Sequence, residues 1–142
     1  MKKNRIAISG TLLAIGLTLA ASASAQTGLT ATPSPKNLSA QGGGLSSGWV
    51  TITNHGPGFA SHLAVSKSND LGPHHGALSI LSDTCSGATL AQNGTCTVQL
   101  QYEAPCYVRA GYQDTWFMQF TSTEFPALNL NVVGTNLTNG CL

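Results

Sequence analysis

Charge is what this chain has least of. Asp, Glu, Lys and Arg make up 8% of its 142 residues, and three of the six cations, Lys2, Lys3 and Arg5, stand at the very start. Beyond residue 25 only Lys36, Lys67 and Arg109 are basic, against five acids, a net charge of −2 with histidine neutral. Three scattered cations cannot neutralise a run of phosphates, so nucleic acid is excluded as a partner, and so is a basic membrane-surface patch. Long apolar runs are also missing after residue 21, so no transmembrane segment is expected in the body of the chain. No sustained helical period follows residue 26. There is no C-x-x-C pair, no H-E-x-x-H and no histidine after residue 75, which removes the usual signatures of metal and redox chemistry.

The start of the chain explains where its cations went. MKKNR is followed by the apolar run IAISGTLLAIGLTLA and then by Ala23-Ser24-Ala25, a small-residue cleavage pattern. Residues 1–25 therefore read as a secretory signal peptide, and the mature protein is expected to begin near Gln26 and to be secreted or periplasmic. Removing 25 of 142 residues leaves 117, the size of one domain. Residues 26–44 read as an N-terminal arm, or a first strand and linker, and residues 45–142 as the folded domain.

All four cysteines, Cys85, Cys96, Cys106 and Cys141, survive cleavage. An even count in an exported chain indicates disulfides. Of the three pairings open to four cysteines, Cys85–Cys96 with Cys106–Cys141 is favoured. The first closes a local loop, and the second pins the C-terminus.

Alternation of period two dominates what remains. Cys96, Val98, Leu100 and Tyr102 fall on one face, as do Trp116, Met118 and Phe120, and again Leu128, Leu130 and Val132. Val50 with Ile52 and Leu63 with Val65 form shorter examples, and ALSIL, residues 77–81, is the shortest. Turn sequences NHGPG, GPHHG, QNG and QGGG separate them. Six or seven short strands in about a hundred residues indicate an all-β sandwich.

The order VTITNHG, then CSGATLA, then NGTCTVQLQYEAP, then an aromatic strand and LNLNVVGT resembles the ASH-type immunoglobulin-like domains, whose bacterial relatives are the HYDIN-like or choice-of-anchor surface domains. Asn54, Gly56, Cys85, Leu90, Gly94, Cys96, Tyr102, Pro105 and Gly134 carry the resemblance, over roughly residues 45–135. It implies a seven-stranded immunoglobulin-like β-sandwich serving as a spacer or interaction module, without catalytic residues or cofactor. Cys106 and Cys141 are additional to that pattern, and the insert CYVRAGYQD is longer than its usual turn.

Candidate site residues follow from the residues themselves. Tyr107, Arg109 and Tyr112 stand together in the insert, a composition typical of interface anchors. Trp49, Phe59 and Phe117 lie off the assigned inward faces. Trp49 should point away from Val50, whereas Phe117 is expected inside as a core residue of the opposite phase. A carbohydrate platform would use the same aromatics, and the sequence does not separate the two ligands. His55, His62, His74 and His75 fall within 21 residues and would form a copper or zinc site only if their loops converge. The favoured reading is a non-catalytic interaction module that binds another envelope or extracellular protein. The alternatives are a surface polymer joined by β-strand addition, with residues 26–44 as the donated arm, and a carbohydrate-binding or metal-handling module.

Overall fold

The computed structural model describes residues 28–72 and 74–141. The signal peptide expected over residues 1–25 lies outside the described residues. Eight strands form: β1 (Leu29–Thr32), β2 (Lys36–Ala40), β3 (Leu45–Asn54), β4 (Ala64–Lys67), β5 (Ala77–Asp83), β6 (Thr95–Glu103), β7 (Gln113–Thr121) and β8 (Leu128–Asn136). They make two four-stranded sheets, with orders β1-β3-β6-β5 and β2-β8-β7-β4. No helix among the described residues is long and apolar enough to cross a membrane.

Alternation drives this outcome. In β6 Cys96, Val98, Leu100 and Tyr102 are buried, and in β7 Trp116, Met118 and Phe120 are fully buried. Each strand thus presents one apolar face, and two such faces exclude water only by packing together. Trp116 meets Tyr102 edge-on with ring centroids 5.7 Å apart, and Ile52, Leu63, Leu78, Leu100 and Leu130 close around them. Gly134 sits on the inward phase of β8 directly under the Tyr102 ring, where any Cβ would collide with it.

The strand order is that of an immunoglobulin-like sandwich of the constant type, with β3, β6 and β5 in one sheet and β8, β7 and β4 in the other. Eight strands appear where seven were expected because the first is split. β1 pairs antiparallel with β3, then the chain crosses and β2 pairs parallel with β8 in the opposite sheet. Pro33 and Pro35 occupy the crossing, where the missing N–H groups interrupt no ladder.

Phe117 corrects one expectation. It is 60% exposed, not buried. β7 alternates without a break, so with Trp116 and Met118 turned inward the side chain between them must face water. Trp49 points outward as expected and is 49% exposed.

Candidate functional site

The two ends of the sandwich differ, and the candidate site is at the end where β6 leaves the first sheet. There the chain runs from Glu103 through a loop to Gln113, where β7 begins. Three segments are knitted together at this end. The turn at 41–44 exchanges hydrogen bonds with Ala104, from Gly43 N–H to the Ala104 carbonyl (2.9 Å) and from Ala104 N–H to the Gly44 carbonyl (3.0 Å). The C-terminal tail joins through the Cys106–Cys141 disulfide and through Gly42 N–H, which donates to Thr138 Oγ1 at 2.9 Å. Gly42 is needed for this approach, since a Cβ there would overlap the Gly140 carbonyl.

Asn136, fully buried at the end of β8, organises the loop. Its Nδ2 donates to the Thr138 carbonyl at 2.7 Å and lies 3.3 Å and 3.4 Å from the carbonyls of Val108 and Arg109. Its backbone carbonyl accepts from Gly111 N–H, and its N–H donates to the Tyr112 carbonyl. Its Oδ1 is buried with no partner.

Asp114 is the second anchor. It lies on the inward phase of β7, ahead of Trp116, and is 2% exposed. Its Oδ2 accepts from Gly76 N–H at 2.7 Å, and its Oδ1 lies 2.7 Å from His75 Nδ1. The Tyr112 hydroxyl lies 2.8 Å from the same nitrogen. Burial, with the Asp114 carboxylate behind it, raises the Tyr112 phenol above its ordinary value. Burial, then Asp114 and Tyr112, push Tyr102 up to about 12. Both phenols stay neutral at physiological pH.

A carboxylate holding one imidazole nitrogen can orient a general base or a metal ligand. Here Nδ1 of the ring faces the Asp114 carboxylate on one side and the Tyr112 hydroxyl on the other. One carboxylate ties the 70–76 loop to β7, and His75 and Ala77 face the Glu103–Tyr107 segment across a pocket of about 280 Å³. Tyr107, 86% exposed, stands at its edge.

Of the sequence-expected site residues, Tyr107, Arg109 and Tyr112 share this braced loop. Tyr107 and Arg109 are exposed, while Tyr112 turns inward to His75. The cysteines pair as favoured, Cys85 with Cys96 and Cys106 with Cys141. The histidines do not converge. His74 and His75 belong to this end, whereas His55 follows β3 and His62 precedes β4 at the opposite end. Among the described residues no group of three His, Cys, Asp or Glu side chains is placed to hold a metal ion. Asp114 and Asn136 were missed, although both fall on the inward phase of strands whose other members are apolar. A polar residue in that phase was the available signal.

No protein-family model matches the chain, and no curated protein sequence matches it. Its fold is similar to parts of solved structures. The VesB protease of Vibrio cholerae matches with a TM-score of 0.56 and 24% identity, over 76% of this chain and 32% of that one. A family 123 glycoside hydrolase from Clostridium perfringens matches with a TM-score of 0.56 and 12% identity, over 80% of this chain and 28% of that one. The chain thus spans less than a third of the length of either protein. The ASH/PapD-like domain of human CEP192 aligns over 95% of this chain and 99% of its own at 13% identity, with a TM-score of 0.48. Likeness at these identities is one of fold.

Proposed function

We propose that this chain is an exported, non-catalytic interaction module that engages another cell-envelope or extracellular protein through the end formed by residues 103–112. The observation that carries the reading is Tyr107. It is 86% exposed on a loop held from both sides, by the Cys106–Cys141 bridge and by Asn136. A large aromatic displayed on a pre-ordered loop beside a pocket can be buried by a partner at little further cost in chain entropy. Arg109, exposed on the same loop, supplies a forked donor to a partner carboxylate or carbonyl. The sequence resemblance to ASH-type domains points the same way, since such modules act by contact.

Polymerisation by strand donation is the weaker alternative. The arm it would need is already used within the fold, as β1 on β3 and β2 on β8.

Site-specific photocrosslinking in the producing cells tests the reading. A crosslinker at Tyr107 should give one dominant adduct, competed by added wild-type protein but not by the Tyr107→Ala variant. A crosslinker at Asn37, on the face of the second sheet, should give none. Equal yields at both positions, or no adduct at Tyr107, would remove the loop from the function.

A further inference from the structure

The outer face of the first sheet holds a second surface, separate from the loop end. Trp49 on β3 is in register with Gln99 on β6, and two residues along each strand Ser47 is in register with Gln101, which pairs on its other side with Ser79 of β5. Neighbours across such a grid stand about 4.8 Å apart. Beyond Gln99, a bulge between Ile80 and Ser82 turns Leu81 out, 50% exposed. Among the outward positions of β3, β5 and β6 the sole charge is Glu103, at the corner.

The face of the second sheet provides the contrast. Phe117 is exposed there among amides too, and some of those amides are engaged within that face. Gln119 donates to Asn129 at 3.1 Å, and Gln113 to Thr135 at 3.2 Å. Around Trp49 the described residues show no such pairing. The indole N–H, the amides of Gln99 and Gln101 and the hydroxyls of Ser47 and Ser79, set side by side by the strand register, make no side-chain hydrogen bond among the described residues. Unengaged donors and acceptors around one half-exposed indole suit a ligand that offers hydroxyls at its edges and C–H groups on its face.

We infer that this face binds a neutral, extended polysaccharide. Its ring face stacks on Trp49, and its hydroxyls replace water on Gln99, Gln101 and the flanking serines. Charge complementarity selects this occupant. A polyanion would need cations that the face lacks, and a charged partner would lose hydration without finding a counter-charge.

The test titrates the mature protein with cellohexaose, xylohexaose and N-acetylchitohexaose, by calorimetry and by tryptophan emission. Trp116 is fully buried, so a ligand-induced change in emission reports Trp49. At least one glycan should bind saturably and shift the emission. Trp49→Ala should weaken it about tenfold or more, the equivalent of one stacking contact. Phe117→Ala and Tyr107→Ala should leave it unchanged, and matching circular dichroism melts would show that all three variants fold. The inference is overturned if none of the three glycans binds, if binding survives Trp49→Ala, or if sedimentation shows that Trp49 instead mediates a dimer.

Discussion

Each end of the sandwich is closed by one disulfide and one fully buried asparagine, and the two closures are built differently. At the far end Cys85 is fully buried and Cys96 is 6% exposed, so their bridge belongs to the core. Asn54 there is fully satisfied: Nδ2 donates to the carbonyls of Gly58 and Leu90, and Oδ1 accepts from Gly56 N–H. At the loop end Cys106 is half-buried, Cys141 is exposed, and Asn136 leaves its Oδ1 without a partner. One end is sealed by apolar packing and complete hydrogen bonding. The other is laced together at the surface and carries Tyr107 at the edge of its pocket.

The two bridges offer the sharpest way to break this comparison. Loop-closure entropy alone favours the longer one, about 4 kcal/mol for the separation of 35 against about 3 kcal/mol for 11. The packing argues the reverse. Without Cys106–Cys141 the tail can fray locally at small cost, whereas removing Cys85–Cys96 also leaves a void in the core. Denaturant titration of the two double Cys→Ala variants should therefore show the larger loss, about 3 kcal/mol or more, for Cys85 and Cys96. If the Cys106 and Cys141 variant loses more, the sealed and laced ends have been assigned backwards.

The asparagines should follow with smaller differences. Asn54→Ala removes three hydrogen bonds, two of them buried, and should cost about 3 kcal/mol; Asn136→Ala, whose network is already incomplete, should cost about 1–2 kcal/mol. Hydrogen exchange supplies the second readout. The Asn136 variant should lose protection at Gly111 and Tyr112 while the core strands keep theirs.

Acid should act through carboxylates placed at both ends. Asp83, beside the sealed end, opposes its own burial with bonds from the Ser86 hydroxyl and from the N–H groups of Ser86 and Cys85, and the balance holds it below the ordinary carboxylate range. Asp70 is likewise held down. Its burial is outweighed by Leu78 N–H, the Lys67 ammonium and the Trp116 indole N–H. A carboxyl depressed in the folded state stabilises it above the unfolded pKa, and that contribution fades as pH falls through the folded value. Melting temperature should hold steady near neutrality and drop below about pH 4. Asp83→Asn should flatten that drop; an unchanged profile would mean that other groups carry it.

Tyr107→Ala should have the smallest effect on stability, under about 0.5 kcal/mol, because the side chain is 86% exposed. Its loss should appear in partner binding instead. A marked fall in melting temperature would make Tyr107 a structural residue and undo its reading as an anchor.

Much of the fold was legible because strand alternation is a local property. The inward sets of β6 and β7 and the outward Trp49 could be read directly from residues two apart. The same rule turns Phe117 outward, against the expectation of a core residue, and places Asp114 and Asn136 on the inward phase of their strands. Residues 26–44 were harder. Their short, Pro-interrupted segments become strands only because β3 and β8 offer them edges in opposite sheets.

From residue order alone came the all-β class, the strand faces, the cysteine inventory and the insert with Tyr107, Arg109 and Tyr112, since each depends on near neighbours in the chain. Which groups meet depended on the pairing of strands far apart in the chain. That pairing sent His55 and His62 to one end and His74 and His75 to the other. It set Asp114 against a loop almost forty residues earlier in the chain, and it gathered Trp49, Gln99 and Ser79 onto one face. Long-range register carries no local periodicity, so only the closed sandwich could decide it.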